Sequence, residues 1–170
     1  MDVKYINPFI RAVNNTMETM LGKAPVRNAP KIKEHMIAQG DISGIIGFAG
    51  EFVQGSVALS FSTEAALKIY RTMMGEIFHK INHEVEDTVG ELINIVAGGA
   101  KTEFENNGLS FRISIPTVVV GRQHTIAHRG TIPIVLIPFT WDGSSFVMEV
   151  SMKVEHRRNL TEKAMEAAAP

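Results

Sequence analysis

Between Phe9 and Leu21 the apolar residues Phe9, Ile10, Val13, Met17, Met20 and Leu21 recur at helical spacing, which places them on one side of an α-helix. Asn7 followed by Pro8 reads as the N-cap and first-turn proline of that helix, and Gly22 as its stop. Pro25 and Pro30 then bracket an irregular or extended segment. From Ile42 to Phe61 the chain is rich in Ile, Val and Phe and punctuated by glycines, a pattern that predicts a β-hairpin turning near Gln54-Gly55. Ser62-Thr63-Glu64 opens a short helix with Leu67, Tyr70 and Met74 facing inward and Gly75 at its end. The longest helix is predicted from Asn82 to Asn107, closing at Asn106-Asn107-Gly108, a run suited to left-handed C-cap geometry.

Beyond it, Ser110 to Val120, Gln123 to Ala127, Thr131 to Thr140 and Ser145 to Val154 read as strands, the last two joined through Trp141-Asp142-Gly143. The implied fold class is α/β of the α+β type, with long helices packed on a mainly antiparallel sheet. The expected domain runs over residues 1–157. The charged, alanine-rich stretch 158–170 is expected to be a frayed tail. Both halves order a helix before strands, which hints at pseudo-symmetry, but no repeat exists at the residue level.

At 170 residues the chain can bury about 70% of its unfolded surface, so its core needs no staple. The absence of cysteine excludes disulfides and thiolate chemistry and fits a reducing compartment. Seventeen Lys plus Arg against eighteen Asp plus Glu, a formal net charge of −1, leaves no electrostatic footprint for nucleic acid. No apolar stretch approaches the roughly 20 residues of a bilayer span, and Met1-Asp2-Val3-Lys4-Tyr5 lacks the features of a signal peptide. A cytoplasmic protein is expected, with no membrane partner.

The candidate chemistry lies on the long helix. At about 100° per residue, Val85, Val89, Leu92, Val96 and Ala100 fall opposite Asp87, flanked by Ile93 and Phe104. Asp87, Glu91, Asn94 and Gly98 form a polar line on the other side. Such a line is often only a solvated face. Here Gly90, Gly98 and Gly99 each cost about 1 kcal/mol of helix stability relative to alanine, and a strip free of side chains would let a partner's backbone approach. Asn94 is a poor interior helix former, but its amide carries both a donor and an acceptor and can orient a water. Positioning water is much of what a protein contributes to phosphoryl hydrolysis.

Other features point elsewhere. His79 and His83, and His124 and His128, share zinc-ligand spacing. The first pair straddles a helix boundary, and the second lies in a strand-and-turn region without cysteines or an HExxH context. The glycines at 40, 44, 47, 50 and 55 precede no helix start or lysine, so bulges and tight turns account for them better than a phosphate cradle. The methionines read as core filler. No metal site, phosphate-binding loop or Ser/His/Asp arrangement stands out, so a partner would have to bring metal and phosphate.

Asp87-x3-Glu91-x2-Asn94, followed by Pro116, resembles the signature of the CheC/CheX/FliY phosphatases of bacterial chemotaxis. The run from Gly90 to Gly98 and the stretches Ser43 to Phe48 and Gly55 to Ser60 are similar to that family as well, so the resemblance covers roughly residues 5–154. On the first helix Asn14 and Asn15 are preceded by Arg11 and Ala12 where a second Glu-x2-Asn site would need glutamate; the single site matches the CheX pattern. The resemblance implies a phosphatase acting on the aspartyl phosphate of a CheY-like receiver domain. Asn94 would orient the hydrolytic water and Glu91 would pair with the receiver's active-site lysine. Asp87, Gly90, Gly98 and Pro116 would belong to the docking surface. The protein would hold no cofactor of its own, and the receiver would hold the Mg²⁺.

The competing reading is a non-catalytic module of the same fold that docks a receiver or flagellar-switch protein. A small-ligand domain would need an enclosed apolar pocket, of which the sequence gives no sign. The resemblance further implies a homodimer. The long apolar strands expected at 131–140 and 145–154 would suit pairing between chains at a bare edge, although Pro133 and Pro138 interrupt the ladder donors.

Overall fold

The computed structural model describes residues 3–128 and 132–155. A short 3-10 turn, Val3–Tyr5, leads into α1 (Asn7–Leu21). Ile6 ahead of it already has helical dihedrals, so Asn7 sits inside the first turn and caps nothing. At the far end Gly22, at φ 73°, donates its N–H to the Glu18 carbonyl. α2 (Thr63–Met74) begins where the Ser62 hydroxyl accepts from the Ala65 N–H at 3.1 Å. Asp41 reinforces this start, its carboxylate accepting from the N–H and hydroxyl of Thr63 at 2.9 and 2.8 Å. α3 (His83–Asn106) is capped by the Asn82 side chain, which accepts from the Val85 N–H at 3.1 Å. The left-handed residue at its C-terminal end is Gly108, at φ 80°, because Asn107 keeps a negative φ.

α2 departs from the expected inward face. Ala65, Ala66, Ile69 and Tyr70 are buried, Leu67 is half-buried and Met74 is 60% exposed. At about 100° per residue, Leu67 and Met74 lie on the side away from that stripe. The small alanines allow the helix to sit close to the core.

Eight strands among the described residues form one sheet. They are β1 (Val26–Arg27), β2 (Lys31–Ile32), β3 (Ile42–Ala49), β4 (Val53–Phe61), β5 (Arg112–Ile113), β6 (Thr117–Val120), β7 (Val135–Trp141) and β8 (Ser144–Val154). The order is β1-β7-β8-β4-β3-β5, with β2 also on β7 and β6 also on β3, and every pairing is antiparallel. The α+β fold class expected from the sequence is what the chain adopts. The β7–β8 turn, Asp142-Gly143, has positive φ at both residues, which matches the right-handed twist of its strands.

Several strand expectations are corrected. The β3–β4 turn falls at residues 50–52, while Gln54 and Gly55 lie inside β4, paired with Ala49 and Phe48. Gly55 is a close approach rather than a turn: a Cβ there would stand 2.1 Å from the Ser151 carbonyl oxygen of β8. The expected strand at 110–120 breaks into β5 and β6 around residues 114–116. Residues 123–127 form only an isolated bridge, Thr125 to Ile37, near Gln123 with its positive φ of 55°. Pairing on β7 starts at Val135, past Pro133, and Thr131 lies outside the described residues, as does the tail at 158–170. β7 and β8 are not bare edges either, because β1 and β2 cover β7, and β8 lies between β7 and β4.

Among the described residues α1, α2 and α3 all contribute to one core against the inner side chains of the sheet, among them Ile42, Ile46, Val57, Phe61, Ile137, Phe139, Met148 and Val150. At the α1–α3 end, Phe9, Phe48, Phe104 and Phe111 pack together in stacked, tilted and edge-on pairs with ring centroids 5.1–5.7 Å apart.

Candidate functional site

α3 is wedged between α1 on one flank and β6 on the other, and the absence of side chains at three glycines lets it sit there. A Cβ at Gly44 of β3, beneath the helix, would lie 2.8 Å from Ile93 Cγ2. One at Gly99 would meet Ala12 Cβ of α1 at 3.4 Å, and one at Gly90 would meet Val118 Cγ2 of β6 at 3.4 Å. Gly90 is therefore buried under β6 and is not part of an exposed strip, a correction to the expected docking surface. Gly98 alone of the three helical glycines faces open space, with nothing within 4 Å of its Cβ position.

The buried stripe is as expected, with Val85, Val89, Leu92, Ile93, Val96, Ala100 and Phe104 all at 3% exposure or less. Opposite it, Asp87 and Glu91 are exposed and Asn94 and Gly98 half-buried. Among the described residues the side chains of Asp87, Glu91 and Asn94 make no hydrogen bond or ion pair. Charges nearby on the same helix do pair: His83 with Glu86 at 3.6 Å, Lys101 with Glu105 at 2.6 Å, and Glu103 with Arg11 of α1. The Arg11 guanidinium, hydrogen-bonded to Glu103, holds that carboxyl below its usual range. The middle of α3 thus offers a carboxylate and an amide one turn apart, both free to engage something outside the chain.

Pro116 is half-buried in the break between β5 and β6, at the start of the strand that flanks α3. On α1, Arg11 is engaged with Glu103, so the position where a second site would need glutamate is tied to α3.

The histidines scatter. His79 and His83 are exposed, the latter beside Glu86. His124 Nδ1–H donates to the Gly121 carbonyl, and its Nε2 lies 2.7 Å from Ser43 Oγ. His128 belongs to a cluster that the sequence reading missed, on the side of the sheet away from the helices. There the buried Glu149 carboxylate accepts from Lys33 Nζ at 2.7 and 2.8 Å and from His128 Nε2 at 2.9 Å, while Ser56 Oγ lies 2.6 Å from His128 Nδ1. A single acid within Phe146-Val147-Met148-Glu149-Val150 was the available signal. Among the described residues no three His, Asp or Glu side chains converge as a metal site, and no helix is long and apolar enough to cross a membrane.

Among the described residues three α-helices lie on one face of an antiparallel sheet, and the longest carries the unpaired Glu91 and Asn94 near its centre, in a domain of the α+β type. The family described as chemotaxis phosphatase CheX matches residues 42–140. The chain is 33% identical over 133 residues to the CheY-P phosphatase CheX of Thermotoga maritima, covering 78% of this chain and 85% of that one. The crystal structure of the chemotaxis protein CheX from Vibrio vulnificus aligns with a TM-score of 0.82 and 36% identity, over 88% of this chain and 99% of that chain. CheX in the Borrelia burgdorferi CheX–CheY–BeF3–Mg²⁺ complex aligns with a TM-score of 0.75 and 26% identity, over 88% of this chain and 97% of that one. This chain belongs to the CheX family of chemotaxis phosphatases.

Proposed function

We propose that this protein hydrolyses the aspartyl phosphate of a CheY-like receiver domain in the cytoplasm, using the open face of α3. The observation that carries the reading is the unpartnered Glu91–Asn94 pair, flanked by charges that are paired. Family membership supports it, since the Thermotoga relative is named a CheY-P phosphatase and the Borrelia relative was solved with CheY, BeF3 and Mg²⁺.

The Asn94 amide oxygen accepts from a water and holds its lone pair in line with phosphorus. The water oxygen bonds to phosphorus as the bond from phosphorus to the aspartyl oxygen breaks, releasing aspartate and inorganic phosphate. Glu91 pairs with the receiver's lysine and fixes the approach of α3. The receiver contributes Mg²⁺, which offsets the charge spreading over the phosphoryl oxygens. An acyl phosphate is already activated, so a positioned water is enough to supply acceleration of about 10²–10⁴-fold.

A homodimer is part of the same proposal. The sheet edge outside β7 supports it, where Val26 and Ile32 of β1 and β2 are 65% and 61% exposed, followed by Met36 and Ile37 at 42% and 50%. Sedimentation at micromolar concentration tests it, and a monomer mass counts against it.

For the activity, a receiver phosphorylated beforehand should lose phosphate faster with substoichiometric protein, each molecule turning over many times. Binding without turnover would leave a docking module instead.

A further inference from the structure

The break between β5 and β6, just ahead of the strand that flanks α3, holds an apolar side chain out in solvent. Ile115 is 85% exposed, more than any other exposed large hydrophobic residue described. An exposed isoleucine is ordinary in itself, but this one stands on a fixed corner. The Ser114 N–H donates to the Gly47 carbonyl at 2.8 Å, the Gly47 N–H donates to Ser114 Oγ at 3.1 Å, and the Ser114 hydroxyl donates to the Ile115 carbonyl at 2.8 Å. Pro116 has its own φ fixed by its ring and restricts Ile115 before it, and pairing with β3 resumes at Thr117 opposite Ile45. A backbone held this way has little freedom left to lose when something packs on Ile115.

Its position follows from strand direction. β3 and α3 run the same way, since Gly44 lies beneath Val89 and Ile93, and Phe48 farther along meets the same two rings, Phe9 and Phe111, as Phe104 does. β6 is antiparallel to β3 and sets Val118 against Gly90. Ile115 falls between the rungs Thr117–Ile45 and Ile113–Phe48, so it is displaced about 8 Å from Val118 toward the C-terminal half of α3, or about five helical residues. That brings it level with the turn from Asn94 to Gly98, on the side of α3 that β6 flanks.

We propose that Ile115 is an apolar anchor for the phosphorylated receiver, packing on an exposed apolar side chain that borders the phosphorylated pocket and seating Asn94 and Glu91 over the acyl phosphate. This rests on the phosphatase reading and names a specificity-determining residue for it. The polar line supplies charge and hydrogen bonds, which water screens until a contact excludes it. An apolar contact buried beside them excludes that water and adds binding energy of its own.

The test compares wild type, Ile115→Ser and Ile115→Leu in steady-state dephosphorylation of a receiver and in binding to the same receiver loaded with Mg²⁺ and beryllofluoride, after thermal melts confirm equal folding. Ile115→Ser should raise KM and Kd about tenfold or more with kcat within about twofold, and Ile115→Leu should stay near wild type. An active wild type with unchanged KM and Kd in Ile115→Ser overturns the anchor and leaves the phosphatase standing. Unchanged KM with a depressed kcat overturns it as well. A wild type that neither binds nor dephosphorylates any receiver of its own organism overturns both.

Discussion

On one side of the sheet, Asp87, Glu91 and Asn94 stand on α3 without a side-chain partner among the described residues. On the other, Glu149 sits at 0% exposure with Lys33, His128 and, through the imidazole, Ser56 all bound to it or to each other. Both regions concentrate polar groups, and both hold a carboxylate at the centre. Water explains the difference. A buried ion that lacks partners costs several kcal/mol, so the fold surrounds Glu149 with donors. An exposed one stays hydrated at no such cost, so Glu91 can remain unpaired and available to a partner. The Glu149 carboxylate is surrounded because it is buried, and the Glu91 carboxylate stands unpaired because it is exposed.

Substitutions can break or sharpen that contrast. The largest effect should come from Glu149→Ala, which strands Lys33 and His128 in the interior and should cost about 3–5 kcal/mol in denaturant unfolding. Turnover per folded molecule should change little, and a loss under about 1 kcal/mol would deny the cluster its structural role. Asn94→Ala should do the reverse. Stability should hold or rise, since alanine is the better helix former, while turnover falls about 10²-fold or more, roughly 2.7 kcal/mol of barrier, with receiver affinity little changed. Near wild-type turnover in single-turnover assays would discard the water-positioning role.

Glu91→Ala should raise KM about tenfold, near 1.4 kcal/mol, and also lower turnover, because the proposed contact with a receiver lysine would operate before and during the transition state. Glu91→Lys should be worse, since it opposes like charges, and equal affinities for the two variants would argue against a cationic partner group. Gly98→Ala should be smaller still. The open space at its Cβ allows a gain of up to about 1 kcal/mol in stability, while any loss of receiver affinity would show that the partner approaches this strip.

The smallest effect concerns a carboxylate that is paired at the surface. The backbone N–H of Thr63, with its hydroxyl, holds the Asp41 carboxyl below its ordinary value in the folded state. Its contribution is therefore fully present above the unfolded carboxylate range, about pH 4, and is lost as pH falls through the lower folded value. Asp41→Asn should flatten that part of the acid limb in pH-dependent melts, and an unaltered limb would show that the α2 cap adds nothing there.

Periodicity in the sequence determined the three helices, their stops at Gly22, Gly75 and Gly108, and the two faces of α3, because an α-helix fixes which side chains share a face before anything packs on it. The Asp142-Gly143 hairpin and the Glu91–Asn94 spacing were legible for the same local reason. Strand order was not, and everything that depended on it waited for the tertiary structure. Gly55 looked like a turn until β8 was seen to run against it, and Gly90 looked open until β6 was laid over it. β7 looked like an edge until β1 and β2 paired with it. Lys33, Ser56, His128 and Glu149 carry no shared spacing, and only the sheet and the segments crossing behind it bring them together. Helix faces follow from contacts a few residues apart, whereas register, edges and buried charge partners depend on contacts between distant segments, whose sequences contain no period linking them.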